Sequence, residues 1–355
     1  MSFEKISLSL VENPVNYINT LEFNRYKGLL AKDVILLVVS KNKKNISQLK
    51  KLIIDEEWRE VIYCFDGRGG VGVLSYVKLF LGLKRRYSRL NFEYLVSGYY
   101  EHKVNVYLYQ ICKYRELILL DDGNMTIFTN KLRHVTKTIS PLSISKRLTS
   151  KVGMLITALI VNYKKQYIEK VIYFTSKNLV VENGDEVIRN DYLDIKIRVL
   201  SKPTEKGTCY FLGAPLSDIS ITSLEREYEI IENALSLIKL KYDRIIYFPH
   251  RFESVKKIEG LLDKFGVVIA DTDLPFELYL SSLSKSIPSC VAGFYTSTFS
   301  NIKYLAIERE IVLLSLIIPS NFILNHEKSK LIESIYSEYS VDSCIKLSSI
   351  YDDKW

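Results

Sequence analysis

Three short stretches place side chains able to do chemistry directly after an apolar run, so each reads as the end of a buried strand. The first is Leu119-Leu120-Asp121-Asp122-Gly123-Asn124. Neighbouring side chains of an extended strand point to opposite faces, so one carboxylate can face a cleft while the other anchors the loop. A single cleft carboxylate is what a general base requires; Asp-Gly is equally a turn dipeptide in contact with water. The second stretch is Tyr247-Phe248-Pro249-His250-Arg251-Phe252-Glu253, where His250 alone among the 4 histidines closes a clear apolar run. Such a histidine suits donation to a phosphate oxygen, aided by the N-terminus of the next helix. The competing reading is a histidine satisfied by backbone, with Arg251 paired to Glu253. In the third, Gly293 to Asn301, the hydroxyls of Ser297 and Thr298 open a helix, an arrangement that caps helices and also binds phosphate.

Two further patterns carry less information. Gly67, Gly69 and Gly72 meet the GxGxxG spacing of dinucleotide sites, with Asn91 and Glu93 near the distance at which an acid should follow. The turn comes after the third strand, however, and Arg68 is an unusual occupant, so it reads as a tight turn on the acceptor side. Asp271-Thr272-Asp273 matches the DxD pattern that holds a divalent metal on nucleotide diphosphates, but it stands just before Pro275 and Glu277, where capping a helix is the simpler role. HExxH, CxxC, Walker and GxSxG signatures are absent, which removes most support for metalloprotease, P-loop ATPase and serine hydrolase readings. The 5 cysteines are far apart and read as free thiols.

The elements that must hold these residues follow from hydrophobic periodicity. β-branched runs at 6–11, 34–40, 61–65, 92–96 and 116–120 alternate with amphipathic stretches at 15–26, 46–56 and 73–87, the pattern of a parallel sheet flanked by helices. A helix is expected over 151–168 and strands over 171–175 and 195–200, and Ser201 to Gly207 reads as an interdomain linker. A second α/β alternation starts at Cys209, with helices expected at 224–240, after Glu253, at 275–284 and at 327–339. The expected fold class is therefore α/β with two Rossmann-like domains, 1–200 and 201–355, facing across a cleft at the carboxyl ends of their strands.

With 47% hydrophobic and 25% charged residues, the chain has apolar material for two cores. Its net charge of +8 points to an anionic partner. No nucleic-acid-binding signature accompanies the basic residues, so nucleic acid is not an expected partner. Clusters at Lys84, Arg85, Arg86 and Arg89 and across Lys146 to Lys170 flank apolar stretches and suit an anionic membrane surface. Glu4 and Lys5 interrupt any secretory signal, and the longest apolar runs are too short to cross a bilayer. The expectation is a cytoplasmic protein held peripherally on the inner face of the membrane, with homo-oligomer formation left open.

Taken in order, SLVENPVNYINTLEF, LLDDGN, FLGAPLSD, YFPHRFES, LPFELYL and GFYTSTFSN resemble the bacterial sialyltransferases and polysialyltransferases that build sialylated lipopolysaccharide and capsule. That family shares an acid-Asp-Gly motif, a motif of His with Pro and a Ser-Ser/Thr motif in the same order. The resemblance extends from about Ser7 to Asn301. It implies the GT-B type of two-domain fold, CMP-sialic acid as donor, an inverting reaction without a required metal or other cofactor, and a hydroxyl of a lipid-linked surface glycan as acceptor. Carried over by position, Asp122 is the general base, with Asp121 an open alternative. His250, with Arg251, supports the departing CMP phosphate, and Ser297 and Thr298 bind it. Glu277 holds ribose hydroxyls and Gly213 passes close to the nucleotide. The acceptor side would include Asp121, Asn124, Gly69 and Gly70. Pro249 precedes His250 rather than following it, as in the polysialyltransferase branch. Alternatives are transfer of another CMP-nonulosonic acid, of a UDP-sugar held through Asp271 and Asp273, or a non-catalytic nucleotide-binding part of a polysaccharide assembly complex.

Overall fold

A computed structural model describes residues 4–53, 57–65, 73–139, 148–182, 184–272 and 274–351. The chain divides into two compact units, Met1–Leu193 and Asp194–Trp355. In the first unit the strands are β1 (Glu4–Val11), β2 (Val34–Val38), β3 (Glu60–Tyr63), β4 (Asn91–Ser97), β5 (Lys113–Leu120), the short antiparallel pair β6 (Thr138–Ile139) and β7 (Gln166–Tyr167), then β8 (Ile172–Thr175) and β9 (Glu186–Arg189). Its main sheet is wholly parallel in the order β3-β2-β1-β4-β5-β8-β9. Parallel strands must be covered on both faces, and β2, Val-Ile-Leu-Leu-Val, is accordingly buried at every position. The helices are α1 (Pro14–Lys27), α2 (Lys43–Ile53), α3 (Val73–Tyr87), α4 (Lys103–Ile111), α5 (Asn124–Val135) and α6 (Leu148–Val161).

The second unit contains α7 (Leu193–Leu200, starting one residue before the division), β10 (Thr204–Leu212), α8 (Leu224–Lys239), β11 (Arg244–Phe248), α9 (Val255–Phe265), β12 (Val268–Ile269), α10 (Phe276–Leu278), β13 (Ile287–Gly293), α11 (Thr298–Ile302), α12 (Tyr304–Arg309), β14 (Val312–Ile317), α13 (His326–Ser340) and β15 (Ile345–Ser349). Its sheet is also wholly parallel, in the order β12-β11-β10-β13-β14-β15. Each sheet therefore begins with the doubly wound 3-2-1-4-5 order, and the progression of strand order reverses beside β1 in one unit and beside β10 in the other. This establishes the α/β class with two Rossmann-like domains.

Several expected elements differ. Residues 195–200 form α7 rather than a strand: Ile195 and Val199 stand four apart and are both buried, so Ile-Lys-Ile-Arg-Val-Leu satisfies helical as well as alternating periodicity. The expected linker at Ser201–Gly207 includes the start of β10, since Thr204 to Gly207 belong to that strand. The helix expected over 151–168 ends at Val161, and the one expected over 275–284 is α10 followed by a π-helical turn at Tyr279–Leu283. Strands β9 and β15 stand at sheet edges, where exposure removes the apolar run that marks a central strand. The five cysteines are free thiols, and Cys112, Cys209 and Cys290 are buried.

Candidate active site

In the first unit, β5 delivers Asp121 and Asp122 to its carboxyl end, and the two carboxylates have different surroundings. Asp121 is buried, 2% exposed. Its Oδ1 accepts from the Gly123 amide at 3.0 Å and the Thr126 hydroxyl at 3.2 Å, and its Oδ2 from the Thr175 hydroxyl at 2.6 Å and from Ser176. Asn19 of α1 donates to the Asp121 carbonyl at 2.8 Å. With both oxygens engaged, Asp121 anchors the end of β5 to β8 and α5. Gly123 makes the turn possible, because its φ of 62° and ψ of −132° form a conformation that only glycine adopts cheaply. Asn124 opens α5 immediately afterwards.

Asp122 is half-buried, and its environment is made by the Glu12-Asn13-Pro14-Val15-Asn16 segment at the β1 to α1 junction. Asn13 caps α1 by accepting from the Asn16 amide at 3.0 Å, with Pro14 in the first turn. Asn16 is fully buried. Its Oδ1 accepts from the Glu12 backbone N–H at 3.3 Å and its Nδ2 donates to Asp122 Oδ1 at 3.3 Å. Each bond fixes the same orientation of the amide, since an N–H needs an acceptor and a carboxylate needs a donor. Thr126 steadies the Asp122 backbone by accepting from its N–H at 2.7 Å. Gly98, just past β4, leaves room for the amide: a Cβ there would fall 2.3 Å from Asn16 Nδ2.

Asn16→Ala and Gly98→Ala should therefore share one effect. Losing a donor to the ionised carboxylate raises the protonation midpoint of Asp122. Carbon NMR of labelled aspartate, assigned with Asp122→Asn, reads that midpoint directly, and an unmoved Asp122 signal in both variants would exclude the role given to Asn16.

Around this pair stand titratable groups that sequence reasoning missed as site residues. Glu12 and His102 face each other at 3.8 Å, and Glu12 Oε1 and His102 Nδ1 are buried without hydrogen-bond partners. Burial, reinforced by the charge of Asp122, pushes the Glu12 carboxyl up to about 8. Burial first, then Lys41, pushes His102 down to about 3, so its ring is neutral. Lys41, which contacts the Tyr76 hydroxyl, is held down to about 8 by burial and by Lys103. The Glu12 shift predicts a stability effect. Folding favours its protonated form, so this group destabilises the fold progressively as pH rises from the ordinary carboxylate range toward 8. Glu12→Gln should remove that loss and gain on the order of 4 kcal/mol over wild type at pH about 8.5, with little difference near pH about 4. Urea titrations across that range measure it.

In the second unit, Gly213, His250 and Ser297 all follow the carboxyl ends of central strands, β10, β11 and β13. Gly213 donates its N–H to the Phe248 carbonyl at 2.8 Å. A Cβ on Gly213 would fall 2.3 Å from Glu253 Oε2 and 2.5 Å from the Tyr247 hydroxyl, so glycine lets this loop close over the Glu253 carboxylate. Glu253 accepts from the His250 backbone N–H and from the Tyr247 hydroxyl at 2.6 Å. His250 Nδ1 accepts from the Phe252 N–H at 3.2 Å, which places the proton of a neutral ring on Nε2. Arg251 is exposed and lies 4.8 Å from the Phe252 ring centre, and the buried cation beside Glu253 is Lys257, at 2.6 Å. Lys257 also meets Glu227, the Ala214 carbonyl at 2.8 Å and Asp218 at 3.6 Å. Glu227 in turn accepts from the amides of Leu216 and Ser217, so this buried network holds the Gly213 loop and the His250 turn on one support.

Glu277 is buried on α10, where Asn301 of the 298–302 helix donates to it at 2.8 Å. Ser297 and Thr298 are half-buried at the start of that helix, and the Thr298 amide donates to Thr296 Oγ1 at 3.3 Å. The structure thus groups Gly213 with His250 through Glu253, and Glu277 with the Ser297 and Thr298 turn through Asn301. Asp271 is exposed just past β12. Gly67, Gly69, Gly70, Gly72 and Asp273 lie outside the described residues.

These sites sit on a fold found in known sugar-nucleotide enzymes. No protein-family profile matches the chain, and no curated protein sequence matches it. Among solved structures, a sialyltransferase from Photobacterium damsela is similar over 97% of this chain and 81% of its own, with 11% identity and a TM-score of 0.50. The UDP-GlcNAc 2-epimerase from Methanocaldococcus jannaschii is similar over 98% of this chain and 89% of its own, with 12% identity and a TM-score of 0.51. At such identities the likeness is one of fold, the two-Rossmann-domain GT-B type.

Proposed function

We propose that this protein is an inverting glycosyltransferase that moves sialic acid from CMP-sialic acid to a hydroxyl of a lipid-linked bacterial surface glycan. The observation that carries the reading is the division of labour at the end of β5: Asp121 is engaged as an anchor through both oxygens, while Asp122 is presented half-buried on a buried amide. Asp122 would take the proton of the acceptor hydroxyl as it attacks the anomeric carbon through an oxocarbenium-like state. His250, with its ring proton on Nε2, would donate to the phosphate of the departing CMP, and Ser297 and Thr298 would add hydroxyl donors to the same charge. Glu277 would receive ribose hydroxyls, and Gly213 would let the backbone approach the nucleotide. This route uses no metal.

A donor screen tests it. Purified protein is incubated with CMP-, UDP-, GDP- and dTDP-sugars and oligosaccharide acceptors, with and without EDTA. Transfer from CMP-sialic acid that EDTA leaves unchanged supports the proposal. Turnover of a UDP-sugar instead, by transfer or epimerisation, would replace it, and CMP binding without turnover on any acceptor would make the protein a non-catalytic nucleotide binder.

A further inference from the structure

Helix α6 is an unusual surface element. From Val152 to Val161 it carries no charged residue. Its inward side holds Thr157 and Val161, with Ala158 packed partly against the core. Leu155, Ile156, Leu159 and Ile160 are nevertheless exposed, Leu159 to 74%. An apolar helix of this kind belongs in a core or in lipid, and its 14 residues are too few to span a bilayer. Among the described residues no helix is long and apolar enough to cross a membrane.

The surroundings indicate what covers it. Helix α3 packs beside α6, and Phe80 of α3 meets Tyr163, just past α6, with ring centres 6.3 Å apart. Helix α3 exposes Leu74 and Leu81 together with Lys78, Lys84 and Arg85. Beyond α6, Lys164, Lys165 and Tyr167 are exposed. Neither helix contains an acidic residue. Aliphatic side chains on two helices whose only charged residues are cations match the boundary of an anionic lipid layer, where hydrocarbon lies beneath phosphate. A second copy of the same surface would oppose like charges.

We propose that the face formed by α3 and α6 docks on an anionic bilayer. Leu155, Ile156, Leu159 and Ile160 enter the boundary between headgroups and acyl chains, and Lys78, Lys84, Lys164 and Lys165 contact lipid phosphates. The helices lie in the membrane plane, and binding is reversible and sensitive to salt. The inference does not depend on the reaction catalysed.

Vesicle flotation of the full chain tests it, using phosphatidylcholine alone and an equal mixture of phosphatidylcholine and phosphatidylglycerol. The expected result is flotation with the mixture only, reduced by added salt. Leu159→Ser with Ile160→Ser should lower partitioning by roughly tenfold or more, and Lys164→Glu with Lys165→Glu by about fivefold or more for each lysine. Equal flotation with both vesicle types, no flotation with the mixture, or unchanged binding in both double variants would overturn the proposal. So would a concentration-dependent dimer abolished by the Leu159 and Ile160 changes, because the face would then be a self-interface. The lysine pair lies outside α6 and keeps the test decisive if the serine variant fails to fold.

Discussion

Asp122→Asn should lower sialic acid transfer by about 100- to 10,000-fold while the protein folds and binds CMP as before. The amide has nearly the shape of the carboxylate and lacks the basicity to accept the acceptor proton. Its neighbours tolerate the change, because the Asp122 backbone is held by Thr126 and the Asn16 amide can still donate to the remaining carbonyl oxygen. Asp121→Asn should behave differently. Asp121 accepts from Gly123, Thr126, Thr175 and Ser176, and an amide nitrogen replacing one oxygen would set donor against donor. A loss of about 1 to 3 kcal/mol in stability follows, with turnover falling through displacement of the loop. Thermal melts, CMP calorimetry and initial rates on both variants separate the roles. Near-normal turnover of Asp122→Asn would remove it as the base.

Lys257→Met should strongly destabilise the second unit, costing about 3 to 5 kcal/mol. The ammonium is fully buried and is the cation shared by Glu227, Glu253 and Asp218. Without it, carboxylates that took up their positions around a positive charge stand together in a medium that screens them poorly. Burial already raises the Glu253 carboxyl above its usual range, with Lys257 opposing the rise. Removing the lysine strengthens the preference for protonated carboxyls, so the variant should recover part of its stability as pH falls toward about 5. The same loss should loosen the His250 N–H and the Gly213 loop and weaken nucleotide binding. Urea unfolding at neutral and acid pH, followed by CMP titration under folded conditions, measures both effects. A stability equal to wild type would show that the network contributes little.

Much of the frame was legible in the chain itself. Buried parallel strands demand apolar runs, and those at β1, β2, β5, β10, β11 and β13 stand out because both faces of each strand are covered. The strand ends then located Asp121, Asp122, His250 and the 293–301 turn, since polar residues directly after such runs must lie at a sheet edge. Edge strands and short helices were less visible. At β9 edge exposure removes the apolar run, and in α7 local patterns of both periods coexist, so that only packing selects between them. Helix α1 left a signal that periodicity arguments overlook: Asn16, Asn19, Thr20, Glu22 and Asn24 are polar residues on its buried side. A polar side buried against a sheet edge marks hydrogen-bonding duties, here to Asp121 and Asp122.

The amino-acid sequence alone determined the α/β class, the repetition of the doubly wound pattern and the short list of strand-end residues, because hydrophobic period and chain order are one-dimensional properties. Which aspartate anchors and which is presented, the pairing of Glu253 with Lys257 rather than Arg251, and the meeting of Glu12, Asn16, His102 and Asp122 were decided only by tertiary structure. These are contacts across 90 to 106 positions of chain or turns of a few residues whose direction depends on what packs behind them. A hydrogen bond or ion pair forms according to distance and angle in space, and sequence spacing specifies neither until the sheet has brought its strand ends together.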